Sequence, residues 1–407
     1  MIDLKAARSD PDAWRAALAR KGAAADFDAL LEADERWRAL IPRVDELRGQ
    51  TKLKGKPTPE ELEALRPVKA ELKEAEEELA AAEAARDAAL ALVPNPPDDS
   101  APDGETEDDA EELRRVGEPP ALEAAREHTE IGRFDMERAA RVSGARFGYV
   151  VGDAARVAMA LYQFALDHLG QAGFTPVITP VLVREEAMYG TGFFPTERSN
   201  IYALEADALY LTGTSEVALA ALHMGEILEE LPLRYTGFST NFRREAGAAG
   251  KDTRGMFRVH QFNKVEMFVF VEPATSLDEH ERMLDLEERF LQALELPYRV
   301  MNVAAGDLGA PAAKKYDIEA WFPFQERYRE VTSCSNTTDY QARRMNIRFR
   351  REGRLEFVHT LNGTAVTARA MLAIMENFQD EGSSVAVPIA LQLYGAPARL
   401  GPVPART

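Results

Sequence analysis

The segment 241–267, NFRREAGAAGKDTRGMFRVHQFNKVEM, holds the densest set of polar side chains in the sequence. Its cationic residues are Arg243, Arg244, Lys251, Arg254, Arg258 and Lys264. Residues 234–264 carry a net charge of +5 in a chain whose formal charge is −19. Two strand-like runs joined by a basic Gly/Ala-rich loop suit a polyphosphate, because arginine binds phosphate oxygens bidentately. Taken alone, the segment fits an exposed basic hairpin equally well.

Three other polar groups point to the same chemistry. In NGTAVTARAMLAIMENFQ, Arg369 falls in the first turns of an apolar helix, where a cation needs an anionic partner such as a phosphate. In LTGTSEVALAAL, a strand meets a helix at Thr214, Ser215 and Glu216. In REVTSCSNTTDYQARR, Glu330 and Ser333 offer oxygen ligands for Mg²⁺.

The runs around these residues predict the elements that position them. A helix is expected over 153–173 and another within ATSLDEHERMLDLEERFLQALE. The runs that predict strands are FTPVITPVLV, ALYLTGT, LRYTGFST, VEMFVFVE, YRVMNV, YDIEAWFP and LEFVHTLNG. Many strands with few helices between them predict an α+β fold with a mixed, mainly antiparallel sheet flanked by helices. Neither GxGxxG after a strand nor GxxxxGK[ST] occurs, so the sequence offers no Rossmann or P-loop site.

Before this region, a helical pattern predicts a hairpin arm over about 27–93. Apolar residues follow a 3-4 spacing on two runs, namely Leu30, Ala33, Trp37, Leu40, Val44, Leu47 and Leu65, Val68, Leu72, Ala75, Leu79, Ala82. Thr58 and Glu61 form a capping-box pattern at the start of the second helix. Two helices with a short connection indicate an antiparallel pair.

The acidic charge is concentrated in residues 98–130. This segment holds 13 acidic residues against 3 arginines and lacks an apolar period, so it predicts a solvated linker. The expected domains are an N-terminal domain over 1–97, the linker over 98–130 and a catalytic domain over 131–407. A second basic run, 343–354 with a net charge of +5, fits either an RNA path or a solvated edge strand.

Composition excludes several classes of protein. A net charge of −19 in 407 residues rules out a polybasic binder of nucleic acid or of membrane surfaces. The single cysteine, Cys334, cannot form an internal disulfide, and we expect it to be a small buried side chain. Because no window approaches 18 consecutive apolar residues, we expect a cytoplasmic protein without a membrane partner.

In this order, the motifs resemble those of a class II aminoacyl-tRNA synthetase, specifically a bacterial-type seryl-tRNA synthetase. FRREAGAAGKDTRG and RVHQFNKVE are similar to motif 2, and TLNGTAVTARAMLAIMENFQ is similar to motif 3 with Arg369 as the class arginine. GFTPVITPVLV, with Pro180, resembles motif 1 at the dimer interface, and TGTSEV resembles the serine-binding TxE loop. The likeness extends essentially from end to end and includes the arm.

The resemblance implies which residues bind ATP. Arg243 would meet the α-phosphate and Arg369 the γ-phosphate, and these two are the expected catalytic residues. Glu330 and Ser333 would hold Mg²⁺. The whole implied ATP set is Arg243, Arg244, Glu245, Val259, Glu330, Val331, Thr332, Ser333 and Arg369.

The resemblance also implies a serine pocket and a set of partners. Thr214 and Glu216 would take the amino group, and Glu266 and Thr364 would face the hydroxyl; Ser215 and Arg243 complete the set. A pocket that pairs this hydroxyl rejects alanine. The implied partners are L-serine, tRNA(Ser) and a second copy in a homodimer, without zinc; charging of tRNA(Sec) stays open.

Two other functions would use a similar core. An amino acid:carrier-protein ligase would lack the arm, whereas this chain has residues 27–93. A non-catalytic paralogue would have lost its ATP-contacting positions, all of which are present here. A coiled-coil scaffold alone would not need the motifs.

Overall fold

The computed structural model describes residues 1–52, 58–132, 134–247, 252, 255–382 and 384–401. The chain divides into two compact units, Met1–Pro96 and Pro97–Thr407. No helix among the described residues is long and apolar enough to cross a membrane.

The first unit is helical and confirms the predicted arm. Its helices are α1 (Leu4–Ser9), α2 (Pro11–Ala19), α3 (Ala24–Gln50) and α4 (Pro59–Leu92). The apolar positions of the 3-4 pattern are all buried or half-buried where α3 packs on α4, and Arg48 of α3 pairs with Glu76 of α4 at 3.0 Å. At the start of α4, Thr58 and Glu61 exchange both hydrogen bonds of a capping box, as predicted.

The second unit combines helices with a large sheet. Its helices are α5 (His128–Ile131), α6 (Met136–Ser143), α7 (Asp153–Gln171), α8 (Glu185–Thr191), α9 (Glu216–Ala220), α10 (Ser276–Ala293), α11 (Tyr340–Met345), α12 (Ala368–Asn377) and α13 (Ile389–Gln392). Its strands are β1 (Glu111–Val116), β2 (Phe134–Asp135), β3 (Tyr149–Val150), β4 (Thr175–Ile178), β5 (Leu182–Val183), β6 (Tyr202–Leu204), β7 (Leu209–Leu211), β8 (Ile227–Leu228), β9 (Leu233–Phe242), β10 (Gln261–Val271), β11 (Tyr298–Asn302), β12 (Lys314–Phe322), β13 (Arg327–Asn336), β14 (Arg348–Arg351), β15 (Arg354–Phe357), β16 (His359–Thr367), β17 (Val385–Ala386) and β18 (Arg399–Leu400).

The main sheet has eight strands in the order β1-β11-β12-β13-β16-β10-β9-β4. Among the described residues of this sheet, only the β4–β9 pair is parallel, so the predicted mixed, mainly antiparallel sheet is confirmed. The basic run 343–354 forms the end of α11 and the β14–β15 hairpin, where Arg350, Arg351 and Arg354 are exposed.

The segment 98–130, predicted as a solvated linker, is largely exposed, but it contains a strand and belongs to the second unit. Residues Glu111–Val116 form an edge strand that pairs antiparallel with β11. Upstream, the backbone N–H of Asp98 donates to the carbonyl of Ala313 at 2.8 Å, which ties this stretch to the second unit. The strand was missed because five of its six residues are exposed, so it has no apolar alternation to reveal it.

The two faces of the sheet carry different chemistry. On β10, Val265 and Met267 point into the main hydrophobic core, which also contains residues of α7, α10 and α12. Alternate residues on the same strand, Lys264 and Glu266, point to the opposite face and line a cavity. Cys334 on β13 is fully buried in the main core, as predicted.

Two β-bulges allow residues that are three positions apart in the sequence to point to the same face of the sheet, the one that lines the cavity. On β13, Thr332 pairs with Ile318 and Glu330 with Glu319, so that Val331 is the extra residue. On β16, Val366 pairs with Val265 and Thr364 with Glu266, so that Ala365 is the extra residue. In a regular strand, positions i and i+3 point to opposite faces, and an extra residue between them reverses this. The bulges therefore bring Glu330 onto the face of Ser333, and Thr364 onto the face of Thr367.

Candidate active site

One cavity of about 600 Å³ collects most of the residues predicted from the sequence. The predicted residues that line it are Thr214, Glu216, Arg243, Glu245, Val259, Glu266, Glu330, Val331, Thr332, Ser333, Thr364 and Arg369. They come from α9 and the turn before it, from the β9–β10 connection, and from β10, β13, β16 and α12. Segments far apart in sequence thus converge on one face of the sheet.

Two predicted residues lie elsewhere. The hydroxyl of Ser215 donates to the carbonyl of Gly237 at 3.3 Å beneath the sheet surface, and the side chain does not line the cavity. Arg244 lies outside the cavity with its guanidinium 5.4 Å from the ring centre of Tyr202. Lys251 and Arg254, counted as cations of the basic segment, fall outside the described residues.

Arg369 and Glu330 form the charged wall of the cavity. Arg369 Nη1 donates to the backbone carbonyl of Glu330 at 3.0 Å and lies 3.1 Å from Glu330 Oε2. Burial alone would raise the pKa of Glu330, but the positive charges of Lys315 and Arg369 outweigh it and lower this pKa. Glu330 is therefore a carboxylate at neutral pH. The guanidinium of Arg369 also lies 4.5 Å from the ring centre of Phe257.

Beside this wall, the end of β9 and the residues that precede β10 supply further charges. Arg243 donates through Nε to the carbonyl of Gly213 at 3.2 Å. Glu245 Oε2 accepts from Arg258 Nη1 at 2.6 Å, which fixes the Glu245 carboxylate at the cavity surface. This part of the cavity therefore presents arginine groups, an aromatic ring and fixed carboxylates, a combination suited to a nucleotide and its phosphates.

At the buried end of the cavity, Glu216 is held by neutral donors. Its Oε1 accepts from Gln341 Nε2 at 2.8 Å and from Asn362 Nδ2 at 3.1 Å. Burial, and then the charge of Glu266, raise the pKa of Glu216 to about 7. Among the described residues, these hydrogen bonds reach only Oε1, so Oε2 is left for a ligand. A cation placed here would favour the ionised carboxylate.

The second buried carboxylate, Glu266, has a charged partner. Its Oε2 forms an ion pair with Lys264 Nζ and accepts from Thr214 Oγ1 at 3.2 Å. Burial raises the pKa of Glu266, and the charge of Lys264 opposes this shift. Lys264 Nζ also lies 3.4 Å from Thr364 Oγ1. The buried end thus offers two carboxylates and two hydroxyls to a small polar molecule.

Glu330 and Ser333 present oxygen atoms suited to a divalent cation. The bulge at Val331 places both side chains on the cavity face, and the lowered pKa of Glu330 keeps its oxygen ligands charged. Across the described residues, no group of three or more His, Cys, Asp or Glu side chains is arranged to hold a metal ion. A cation bound by Glu330 and Ser333 would complete its shell with water and phosphate oxygens, as Mg²⁺ commonly does.

Several residues that shape the cavity were not predicted from the sequence. Gln341 is fully buried and holds Glu216; it lies in the same run as Glu330 and Ser333, but its uncharged amide gave no sign of its own role. Asn362 lies two residues before Thr364, so strand alternation places both on the same face. Lys264 was counted only as a phosphate-binding cation, although its spacing of two from Glu266 on a strand indicates a shared face.

Two family models match the chain. Residues 1–97 match the seryl-tRNA synthetase N-terminal domain, and residues 201–378 match the tRNA synthetase class II core domain (G, H, P, S and T). Together they cover more than half of the chain.

Curated relatives and solved structures agree with these models. The serine–tRNA ligase of Acidothermus cellulolyticus is 50% identical over 97% of this chain and 98% of its own length, and that of Thermobifida fusca is 47% identical over 99% of both. The seryl-tRNA synthetase from Pyrococcus horikoshii complexed with ATP superposes with a TM-score of 0.91 at 39% identity, covering 99% of this chain and 100% of that one. The cytoplasmic serine–tRNA ligase from Naegleria fowleri in complex with AMP gives 0.86 at 34% identity, covering 96% of both chains.

These matches confirm the family predicted from the motifs, and they extend over both units of the fold. The chain therefore belongs to the seryl-tRNA synthetases, a family of class II ligases.

Proposed function

We propose that this chain activates L-serine with ATP and transfers it to tRNA(Ser) through a seryl-adenylate. The observation that carries the proposal is the pairing of two environments in one cavity. Arg243, Arg369 and Glu330 line its charged part, and Glu216 and Glu266 line its buried end. A nucleotide triphosphate and a small amino acid therefore find complementary groups side by side.

The arginines position ATP for attack at its α-phosphorus. Arg243 meets the α-phosphate and Arg369 the γ-phosphate, each as a guanidinium that can bind two oxygens. Glu245 and the backbone around Val259 hold the adenine, and the bond from Arg258 keeps Glu245 in place. Val331 and Thr332 contribute through the bulged backbone beside the nucleotide, because the Thr332 hydroxyl is already bonded to the carbonyl of Thr364. Arg244 lies outside the cavity and supports the loop rather than the phosphates.

Glu330 and Ser333 are the residues that would hold Mg²⁺. When bound, the ion would neutralise phosphate charge, the role that such cations commonly have in phosphoryl chemistry. The Glu330–Arg369 pair would hold the carboxylate ligand beside the arginine that meets the γ-phosphate.

The buried end binds serine in one orientation. Glu216 and Thr214 take the ammonium group, and Glu266 and Thr364 meet the hydroxyl. The carboxylate of serine then points toward Arg243 and the nucleotide. The Ser215 hydroxyl bonds Gly237 and supports the loop rather than the substrate.

In the first step, an oxygen of the serine carboxylate bonds to the α-phosphorus while the bond to the β-phosphate oxygen breaks and pyrophosphate leaves. The attacking oxygen is already anionic, so the step needs no general base; positioning and charge neutralisation by Arg243 and Arg369 carry it. In the second step, a hydroxyl of the terminal ribose of tRNA bonds to the carbonyl carbon of the adenylate and gives up its proton, the bond from that carbon to the phosphate oxygen breaks, and AMP leaves.

The partners follow from the family and from the first unit. The α3–α4 pair supports binding of tRNA(Ser), because residues 1–97 match the N-terminal domain specific to these synthetases. We further propose a cytoplasmic homodimer that associates around β4 and Pro180, where Ile178 is 92% exposed at the sheet edge. Charging of tRNA(Sec) is a separate question for the same assay.

Aminoacylation of total bacterial tRNA with each of the twenty amino acids tests the proposal. Serine alone should be incorporated, and serine alone should support ATP–pyrophosphate exchange. Glu266→Ala should abolish serine-dependent exchange, whereas Glu229→Ala, which removes an exposed carboxylate outside the cavity, should leave it unchanged. Incorporation of another amino acid, or normal exchange by Glu266→Ala, would refute the assignment.

A further inference from the structure

Lys264 is an ammonium group buried inside the candidate amino-acid pocket. The residue is 5% exposed, and its Nζ forms an ion pair with Glu266 Oε2. The same Nζ lies 3.4 Å from Thr364 Oγ1, and Thr214 Oγ1 donates to the same Glu266 oxygen at 3.2 Å. Burial of a lysine is costly unless it is paired, so this contact is part of how the site is built.

The other buried carboxylate, Glu216, differs in the kind of partner it has. Gln341 and Asn362 donate to its Oε1 through neutral amides, which orient the carboxylate without cancelling its charge. In the described part of the chain, no lysine or arginine pairs with Glu216 within 4.0 Å, whereas Glu266 has Lys264. Two acids of the same type therefore present different net charges to a ligand.

We propose that Lys264 is a positioning residue that makes the two carboxylates of the pocket inequivalent and so fixes the orientation of the amino acid. Paired with Lys264, Glu266 no longer attracts a cation but keeps Oε1 as a hydrogen-bond acceptor for a hydroxyl. Glu216 has no such cationic partner among the described residues and takes the substrate ammonium. This inference rests on the proposed function, and it adds a selectivity role to a residue outside the predicted serine-binding set.

The arrangement explains selection for a side chain that donates a hydrogen bond. A serine hydroxyl can donate to Glu266 Oε1, whereas alanine leaves that buried oxygen without a donor. Without Lys264, Glu266 would either bind a proton and become a donor itself or compete with Glu216 for the substrate ammonium. Both outcomes weaken the preference for serine over alanine.

The test compares Lys264→Met and Lys264→Ala with the unmodified full-length chain in ATP–pyrophosphate exchange, using serine and alanine as substrates. We expect Lys264→Met to lower kcat/KM for serine roughly 100-fold, mainly through KM, since a buried carboxylate loses its counter-charge. The KM for ATP should stay within about threefold, and the ratio of serine to alanine kcat/KM should fall by at least about tenfold. Added ethylamine should restore part of the serine activity of Lys264→Ala, because it can supply the missing ammonium group.

Two controls separate this role from a merely structural one. Lys314→Met removes a lysine charge from the opposite face of the sheet, where Lys314 Nζ lies 4.8 Å from the ring centre of Tyr316, and it should leave the serine-to-alanine ratio unchanged. The double variant Lys264→Met/Glu266→Gln removes both charges together; it should unfold at a temperature near that of the unmodified chain and still discriminate poorly.

An unchanged ratio in Lys264→Met, or equal losses for serine and ATP without rescue by ethylamine, would overturn the role of Lys264. Failure of the unmodified chain to use serine at all would overturn the proposed function instead.

Discussion

Arg369 Nη1 contacts both the backbone carbonyl and the carboxylate of Glu330, at 3.0 and 3.1 Å. Arg369 lies in α12 and Glu330 in β13, and 38 residues separate the two in sequence. One side chain is proposed to meet the γ-phosphate and the other to hold Mg²⁺. Their contact sets the spacing of the two groups before a nucleotide arrives, which reduces the ordering that binding requires.

Glu330→Gln should therefore impair ATP use rather than serine binding. Glutamine has the same shape but lacks the charge, so we expect kcat/KM for ATP to fall roughly 100-fold while the Kd for serine changes little. Exchange assays with varied ATP and calorimetric titration with serine measure the two effects. Glu319→Gln is the matched control, because Glu319 pairs with Glu330 across the strands but bonds Arg299 at 2.6 Å. Equal losses in the two variants would contradict the assignment of Glu330.

Serine affinity should depend on pH through Glu216. Burial, and then the charge of Glu266, raise the pKa of Glu216 to about 7, so below this pH the group carries a proton and cannot pair with an ammonium. The Kd for serine should rise toward tenfold per unit as the pH falls below 7, and it should level off above 8. Calorimetry between pH 5.5 and 8.5 measures the profile.

The variant Gln341→Leu tests whether Glu216 is the group that titrates, because it should shift the pH profile in a known direction. The hydrogen bond from Gln341 lowers the pKa of Glu216, so its removal should move the midpoint of the profile to higher pH. Glu330 does not contribute to the profile, because its pKa is lowered and it stays ionised throughout this range. A flat profile, or a midpoint that moves to lower pH, would exclude Glu216 as the titrating group.

Gly363→Ala should destabilise the second unit. A Cβ at this position would lie 2.9 Å from Glu287 Oε1 and 3.0 Å from both Cys334 Cβ and Met283 Cε, so the core under the sheet would have to shift. We expect a loss of about 1–3 kcal/mol in the free energy of unfolding, measured by chemical denaturation. Gly170→Ala in α7 meets nothing within 4 Å and should be neutral or slightly stabilising. Equal effects of the two changes would show that crowding at Gly363 is relieved cheaply.

Lys52→Glu should weaken tRNA use without affecting amino-acid activation. Lys52 is exposed just beyond the end of α3. If it meets a phosphate, its loss should raise the KM for tRNA and reduce the slope of log KM against log salt by about 1. Aminoacylation at several KCl concentrations measures the slope, and ATP–pyrophosphate exchange should stay unchanged. An unaltered slope would place the RNA path elsewhere.

The elements predicted best were those whose pattern depends on local burial. The 3-4 spacing of Val44 and Leu47 predicted α3, because a helix that packs along one stripe must repeat its apolar residues at that interval. Thr58 and Glu61 predicted a helix start, because a capping box depends only on residues within one turn.

The elements that were missed depend on partners far away in sequence. β13 was not among the predicted strands, because its run of threonine, serine and cysteine has little hydrophobic contrast; it is a strand because β12 and β16 supply its hydrogen bonds. The bulges at Val331 and Ala365 are likewise properties of strand pairs rather than of single strands. Without them, the spacing of three between Glu330 and Ser333 would have argued against a shared site.

The site residues divide in a similar way. Residue type and motif were enough to place Arg369 and Glu266 in the cavity. They did not show that Ser215, unlike Thr214 and Glu216, points away from the cavity. The direction of its hydroxyl is set by the carbonyl of Gly237 on another element. The partner of Lys264 was also hidden, since a lysine in a basic segment suggests a phosphate before it suggests the carboxylate two residues away.

The edge strand β1 has a consequence for the behaviour of the chain in a crowded solution. A large sheet ends in a row of backbone groups that another chain could extend into an aggregate. Here that border carries Glu111, Glu112, Arg114 and Arg115, all of them exposed. Charged side chains at a sheet border disfavour the docking of a foreign strand, because their charges would have to be stripped of water. The mixed charges of this edge strand thus help to keep the enzyme dispersed.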